Sequence, residues 1–390
     1  MIKSFVAYTT EIDSPELAVE QLLEQLDFGG KNALRQNTIG IVSCYAEFIE
    51  SGVWEHLCAN LPFEVLGTTT IANMVPAELG ETMLTLMVLT SDEIGFSTAL
   101  SEPIVEEDAL QLRAMYETAL AKLPAKPSVM MSFLPLHSNF STDFYVDCLT
   151  EISGGVPNFG TVTVDHNTDY HDSQVLLNGK GYPDRAAVLL IHGEVTPTFY
   201  IGNISEERVF DEKGVVTAAE KNRLEEVDGA PVVEYLRSIG LKQNEDGSIV
   251  GINSFPVIVD YNDGSAPVAR VIFAMTPEGY AVCGGHIPVG ATLSIGSFDG
   301  EEISATTLRT IEDVLASEKH SIALMYSCVG RYFSQGHDTT AELRQVRERL
   351  EGTDVNYMMS YSGGEICPVY NADGQPFTRN HNNTIVICAL

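Results

Sequence analysis

Polar side chains able to pair an ion or hold a ligand gather in the last seventy residues of the chain. Cys328 closes the apolar run Ile322-Ala323-Leu324-Met325-Tyr326-Ser327, Arg331 follows it, and Glu342 stands on the next amphipathic stretch. Tyr361, Gly364 and Glu365 belong to the turn Tyr361-Ser362-Gly363-Gly364-Glu365, and His381, Asn382 and Thr384 open the last apolar run. If these strand ends converge, one pocket holds a thiol, a guanidinium, carboxylates and an imidazole. A guanidinium clamps a carboxylate through two parallel hydrogen bonds, and Glu365 accepts from an ammonium. That combination suits a zwitterion such as an amino acid.

Each residue also has a plainer role open to it. Cys328 ends a strongly apolar strand, where a thiol is usually inert core. Glu365 beside two glycines can cap a turn, Arg331 and Glu365 can form one buried structural pair, and His381-Asn382 can be a polar turn. A catalytic alternative has Cys328 as nucleophile, His381 as base and Glu365 assisting, which requires an accessible thiol of lowered pKa. Elsewhere, Asp165, His166, Asp169, His171 and Asp172 crowd between two predicted strands. Hard-metal ligation is one reading of them and an exposed polar loop the favoured one. No cofactor is expected. Haem is the alternative, on the strength of the dipeptide Cys367-Pro368, although the sequence has no CxxCH. P-loop, dinucleotide and GxSxG fingerprints are missing.

The elements that position these residues recur in one order. Ser4 to Tyr8 reads as a strand, and Ser14-Pro15-Glu16 opens a helix with Ser14 as cap and Pro15 in the first turn. Thr38 to Cys44 is a buried strand, Phe48 to Leu61 a helix, Phe63 to Thr68 a strand broken by Gly67, and Met83 to Leu89 a closing strand. The order returns with Ile94–Leu100, Glu106–Leu123, Ser128–Phe133, Asp143–Ile152, Pro157–Thr161 around Gly160, and Ala186–Ile191. Asp172 to Gly179 adds a hairpin arm. A third copy runs through Ala291–Phe298, Ser304–Leu315, Ile322–Cys328, Thr339–Leu350, Tyr357–Gly364 and Thr384–Leu390. Between the second and third, Glu212–Asn222 reads as a linker. A helix at Val232–Leu241 and strands at Phe255–Tyr261, Ala269–Met275 and Tyr280–Cys283 then read as a degenerate fourth unit. The fold class is therefore mixed α and β: tandem pseudo-repeats of strand-helix-strand-helix-strand-strand, with antiparallel hairpins in mixed sheets and helices packed outside. The central strands should be equivalent, with Gly67, Gly160 and Gly364 beside them where the backbone approaches closely.

A length of 390 residues suits two domains, expected at 1–215 and 216–390, and 44% hydrophobic content supplies their cores. A net charge of −32 repels phosphate backbones and anionic lipids, which sets nucleic-acid and membrane-surface roles aside. No apolar run reaches the ~18 to 20 residues that span a bilayer, and the first residues do not read as a signal peptide. Seven scattered cysteines without a CxxC pair read as reduced thiols of a cytoplasmic protein.

The run SIALMYSCVGR, the helix with Glu342, MMSYSGGEICP and NHNNTIVICAL resemble the C-terminal half of the FIST family. FEVLGTTTIANMV, GGVPNFGTVTVD and LLNGKG are similar to its N-terminal half, so nearly the whole chain is covered. Cys-x-x-Arg, Gly-Glu-Ile and His-Asn-x-Thr are the specific elements. The resemblance implies a sensory module that binds a small ligand, amino acids among the proposed ones, and some members are haem proteins that sense nitric oxide. FIST modules are often fused to kinase, cyclic-dinucleotide or chemotaxis-type output domains. None is recognised here, so the resemblance implies a signal passed to such a partner in trans. The long paired strands also offer a surface for a homodimer.

Overall fold

The computed structural model describes residues 1–390 except 31, 137–140, 168, 245–253 and 318–319. Three runs of apolar and β-branched residues, Asn37–Cys44, Val129–Leu134 and Ile322–Cys328, each form a strand buried on both faces along most of its length. A strand covered on two sides reads as a continuous apolar run. Each pairs in parallel with the strand that follows it across a helical crossover: Glu64–Thr69, Asn158–Val162 and Asn356–Ser362. On its other side each pairs antiparallel with a closing strand, Leu84–Ser91, Ala187–His192 or Ile385–Ala389. The closing strands in turn carry Lys3–Thr9, Gly95–Leu100 and Thr198–Gly202.

The sixth and fifth places of each sheet are filled from another part of the chain. The hairpin Val175–Leu177/Lys180–Tyr182 docks on Glu64–Thr69 of the first sheet. Glu365–Tyr370/Pro376–His381 docks on Asn158–Val162 of the second. Asn73–Val75/Glu78–Gly80 docks on Asn356–Ser362 of the third. The first segment thus completes the third sheet, the second completes the first, and the third completes the second. Helices pack outside. Ser14 and Asp299 cap two of them, accepting from the backbone N–H groups of Leu17 and Glu302. The inner faces of all three sheets meet in one apolar core that includes Ile41, Met87, Met131, Phe159, Leu324 and Val386. There Phe159 stacks on Tyr326 at 5.3 Å between ring centroids, a geometry that adds about 0.5–1.5 kcal/mol to simple burial.

Register refines the expected equivalences. Val42 faces Gly67 and Ser132 faces Gly160, and a Cβ on either glycine would lie 1.8 or 2.1 Å from the facing carbonyl oxygen. In the third sheet Ser360 holds this place, opposite Tyr326, while Gly364 lies beyond the strand in the turn. The side chain fits there because Ser360 Oγ finds Ser43 Oγ at 3.1 Å.

Three further expectations change. The strand at Thr292–Ile295 does not open the third segment; Thr198–Gly202 does, and everything from 203 to 298 is an insertion between that strand and the helix Gly300–Ala316. The stretch read as a linker forms the strand Gly214–Glu220. Its alternation of buried and exposed residues was masked by charge. The supposed fourth unit is a sheet of its own, ordered 268–270, 257–260, 292–295, 214–220, 223–227, 281–283 and 272–275. Its two edge strands are consecutive in sequence, so it wraps its own apolar core of Val216, Leu236, Val259, Ile272 and Leu293.

Because no segment fills its own sheet, the two halves of the chain are expected not to fold separately. Fragments 1–196 and 197–390 should be aggregated or molten when expressed singly and should co-purify as a folded pair when co-expressed. Two independently cooperative fragments, seen by calorimetry, would contradict the exchange.

Candidate functional site

Arg331 is fully buried and every arm of its guanidinium is occupied. Glu342 Oε1 accepts from Nη2 at 2.6 Å and Nε at 2.9 Å. Thr307 Oγ1, Thr306 Oγ1 and the Ile303 carbonyl take the rest. Glu342 is itself buried, with Ser327 Oγ donating to Oε2 at 2.8 Å and Thr307 Oγ1 to Oε1 at 2.7 Å. Arg331 therefore pairs with Glu342, and the charge meant to clamp a ligand carboxylate is spent inside the third segment. Tyr361 is likewise buried, its hydroxyl accepting from Gln335 and its ring edge-on to Tyr332.

The other candidates do come together. Glu365 lies opposite His381 in the third segment's hairpin and opposite Thr161 of the second sheet. Thr384 Oγ1 donates to Glu365 Oε2 at 2.8 Å, whereas Glu365 Oε1 has no partner. Burial pushes the Glu365 carboxyl well above the usual range, against the pull of Thr384 and the Arg331 guanidinium. Burial and the Glu365 carboxyl push the Cys328 thiol up as well, and the N–H groups of Asn383 and Gly330 oppose them. A thiol held protonated in this way is a poor nucleophile. His381 is also buried, and burial, reinforced by Arg270, depresses its imidazole to about 3, with the Cys367 backbone opposing.

Unsatisfied atoms cluster here. Both His381 ring nitrogens, Asn382 Oδ1, Asn380 Oδ1 and both polar atoms of the Asn383 side chain lack a hydrogen bond of good geometry. Asn383 also adopts φ 53°. Such a concentration of orphaned buried groups is the usual mark of a site completed by water or ligand. Gly364 lies in the turn, where a Cβ would come 3.0 Å from Asn380 Oδ1, and Ser362 Oγ accepts from its N–H and donates to its carbonyl. Cys367 is buried in the central core, and its thiol is pushed well above its ordinary value by burial.

Sequence reasoning missed the neighbouring ion pair. Arg270 of the inserted sheet is fully buried and donates to Asp143 Oδ1 at 3.2 Å, the Tyr261 hydroxyl at 2.7 Å and the Asn380 carbonyl at 2.7 Å. Asp143, on the second segment's helix Thr142–Ser153, also accepts from Ser141 Oγ and the His286 N–H. Burial works to raise the Asp143 carboxyl, but Arg270 and His286 hold it below the usual range. A Cβ on Gly285 would lie 2.6 Å from both Arg270 and Asp143, and one on Gly284 2.3 Å from Asn382 Oδ1. Two signals were legible: an arginine inside the apolar run Val268-Ala269-Arg270-Val271-Ile272, and the Gly284-Gly285 pair.

Beside the polar cluster, Val329 and Gly363 wall a cavity of about 440 Å³ together with Leu136, Tyr170, His171 and Phe273. Tyr170 adopts φ 54°, which only a well-determined surrounding holds in a side-chain-bearing residue. Burial, with Cys328 and Asp165 adding, pushes its phenol up to about 12. Phe273 sits where a register shift interrupts the edge pairing of Ile272–Met275 and is 61% exposed at the mouth. Irregular pairing of this kind re-aims a side chain. Of the acid–imidazole stretch, Asp169 and Asp172 flank His171, and Asp165 is buried. Among the described residues no three His, Cys, Asp or Glu side chains gather as metal ligands. A second hollow, of about 540 Å³, lies on the inserted sheet by Phe210 and Ile258, and no member of the polar cluster lines it.

Residues of the second segment, the third segment and the inserted sheet thus wall one cavity, and Val329 and Gly363 of its lining neighbour the buried polar cluster in sequence. The chain belongs to the FIST family: the FIST N domain matches residues 38–230 and the FIST C domain residues 232–368. FIST domains are generally associated with small-ligand sensing and signal transduction. No curated protein matches the chain. Among solved structures, a cyanuric acid hydrolase from A. caulinodans is similar at 10% identity and a TM-score of 0.27, over 50% of this chain and 72% of that one. So remote a likeness carries no argument. No described helix is long and apolar enough to cross a membrane.

The Arg331–Glu342 pair is expected to be structural. Glu342→Leu alone strands a buried guanidinium and should cost roughly 3–5 kcal/mol in chemical denaturation, while Arg331→Met with Glu342→Leu should recover much of that loss. Equal losses from the single and the double variant would refute the pairing. The depressed His381 opposes protonation of the folded state, so its contribution is present above 6.5 and is lost as pH falls through about 3. Glu365 acts in the opposite sense. With its folded pKa raised, stability is fully present below 4.5 and declines as pH climbs above it. Glu365→Gln should therefore flatten the alkaline side of a Tm-against-pH profile, and His381→Asn the acid side.

Proposed function

We propose that this chain is a sensory module for a small ligand, held in the cavity bounded by Tyr170, Phe273, Val329 and Gly363. The observation that carries the reading is the position of that cavity. Its walls come from the second segment, the third segment and the inserted sheet, and two of its lining residues, Val329 and Gly363, directly follow Cys328 and precede Gly364-Glu365 in the chain. A ligand there touches the start of the helix Val329–Ser334 and the Phe273 edge together, so occupancy favours one relative placement of the two. A change of that kind is what a partner can read. The partner is a signalling protein acting in trans, of kinase, cyclic-dinucleotide or chemotaxis type, in the cytoplasm.

An amino acid remains a candidate only through its ammonium and side chain, because Arg331 is engaged with Glu342 and Arg270 with Asp143. An enzyme using Cys328 is less well supported, since burial keeps that thiol protonated.

The test is a thermal-shift screen of metabolites, together with mass spectrometry of whatever the native protein carries. A compound that raises the Tm of the wild type should lose that effect in Leu136→Trp, which fills the cavity, and be weakened several-fold in Phe273→Ala. Should every stabilising compound act equally on the wild type and on a folded Leu136→Trp protein, the cavity is not the sensory site.

A further inference from the structure

The charges around the cavity specify what it can hold, given the sensory reading above. Among the described residues no lysine or arginine lines it; the lining ionisable side chains there are Asp169, His171 and Tyr170. His171 Nδ1 lies 2.7 Å from Asp169 and its Nε2 3.4 Å from Asp172. Asp165 is completely buried, and its Oδ2 has no hydrogen-bond donor among the described residues. The nearest buried guanidiniums are neutralised, Arg331 by Glu342 and Arg270 by Asp143. An anion entering the cavity would meet His171, which is already taken up by Asp169 and Asp172, and would lose much of its hydration without replacement.

A cation finds the opposite. Tyr170 and Phe273 present aromatic rings from two separate elements, and a ring face attracts an ammonium. Asp169 and Asp172 add carboxylates at the mouth, and the net charge of −32 concentrates cations near the whole surface. Leu136 and Val329 supply apolar wall for a carbon body. We propose that the cavity takes a small organic cation: a primary or quaternary ammonium carried on an apolar body, seated between Tyr170 and Phe273 with its charge toward Asp169 and Asp172. His171, when protonated, stands in for such a cation by occupying the two outer carboxylates.

Three probes of one shape and different charge test this on the full chain by isothermal titration: 2-phenylethylamine, 2-phenylethanol and 3-phenylpropanoate. The amine should bind about tenfold or more tightly than the alcohol, and the carboxylate more weakly than either. Amine affinity should fall with rising salt. Asp169→Asn with Asp172→Asn, both on exposed side chains, should weaken the amine about tenfold and leave the alcohol unchanged. His171→Asn should tighten the amine by releasing those carboxylates. Leu136→Trp should abolish binding of amine and alcohol alike. Alcohol or carboxylate binding as tightly as the amine, and lost in Leu136→Trp, would overturn the cationic class and leave the sensory cavity standing. Amine binding that survives in a folded Leu136→Trp protein would place the amine elsewhere on the acidic surface and overturn the proposal. So would failure of all three probes, whereas the metabolite screen judges the sensory reading independently.

Discussion

A sheet edge left with unpaired N–H and C=O groups must be covered, and in this chain each edge is covered by a hairpin from a different segment. Asn158–Val162 is paired by Glu365–Tyr370, Glu64–Thr69 by Val175–Leu177, and Asn356–Ser362 by Asn73–Val75. The exchange closes a ring of dependence among the segments. It also determines where the polar side chains of the third hairpin go. Glu365 and His381 are carried out of their own sheet and set against Thr161 of the second, beside the helix that holds Asp143. The convergence of site residues is thus a consequence of edge pairing between segments far apart in sequence.

Two buried ion pairs frame that convergence and do different work. Arg331–Glu342 lies within the third segment and ties its helices to the strand end at Ser327, with Thr306 and Thr307 completing the arginine's bonds. Arg270–Asp143 spans the inserted sheet and the second segment, and Asn380 of the third bonds both of them. Buried pairs often contribute little net stability against well-packed apolar replacements, and their best-attested use is fixing one arrangement over others. At a junction of three parts of the chain, that use matches the geometry. Arg379 reinforces the junction from the rim, bonding Asp263 and lying 3.8 Å from the Tyr261 ring centroid.

Much of the fold was legible because it is written in periodicity. Strands buried on both faces announce themselves as runs such as Ile322–Tyr326, and the first helix by its cap at Ser14. Partner choice among edges was not legible, because a hairpin such as Val175–Tyr182 carries no mark of the sheet it will join. For the same reason Thr198–Gly202 lost its place to Thr292–Ile295 in the sequence reading: both are short β runs, and only long-range pairing separates them. Within the site, the types Cys328, Glu365, His381 and Asn382 were found from composition at strand ends. Arg331, read as a ligand clamp or as a pair with Glu365, closes on Glu342, an outcome that three-dimensional packing decides.

Charge neutralisation then limits chemistry more tightly than residue type does. A guanidinium, carboxylates, a thiol and an imidazole in one region suggest acid–base or nucleophilic work when read as a composition. In place, the guanidiniums are engaged, the Glu365 carboxyl is driven toward its neutral form by burial, and His381 is held unprotonated down to about 3. With Glu365 Oε1, the His381 ring nitrogens and the Asn383 side chain lacking a hydrogen-bond partner among the described residues, such groups would offer the proposed ligand shape and hydrogen-bonding atoms rather than charge. Near the opening one imidazole, His171, stands between two carboxylates, Asp169 and Asp172. Under the proposed function, selection by charge there and by hydrogen bonding at the polar cluster is a division of labour that follows from which ion pairs the fold has already closed.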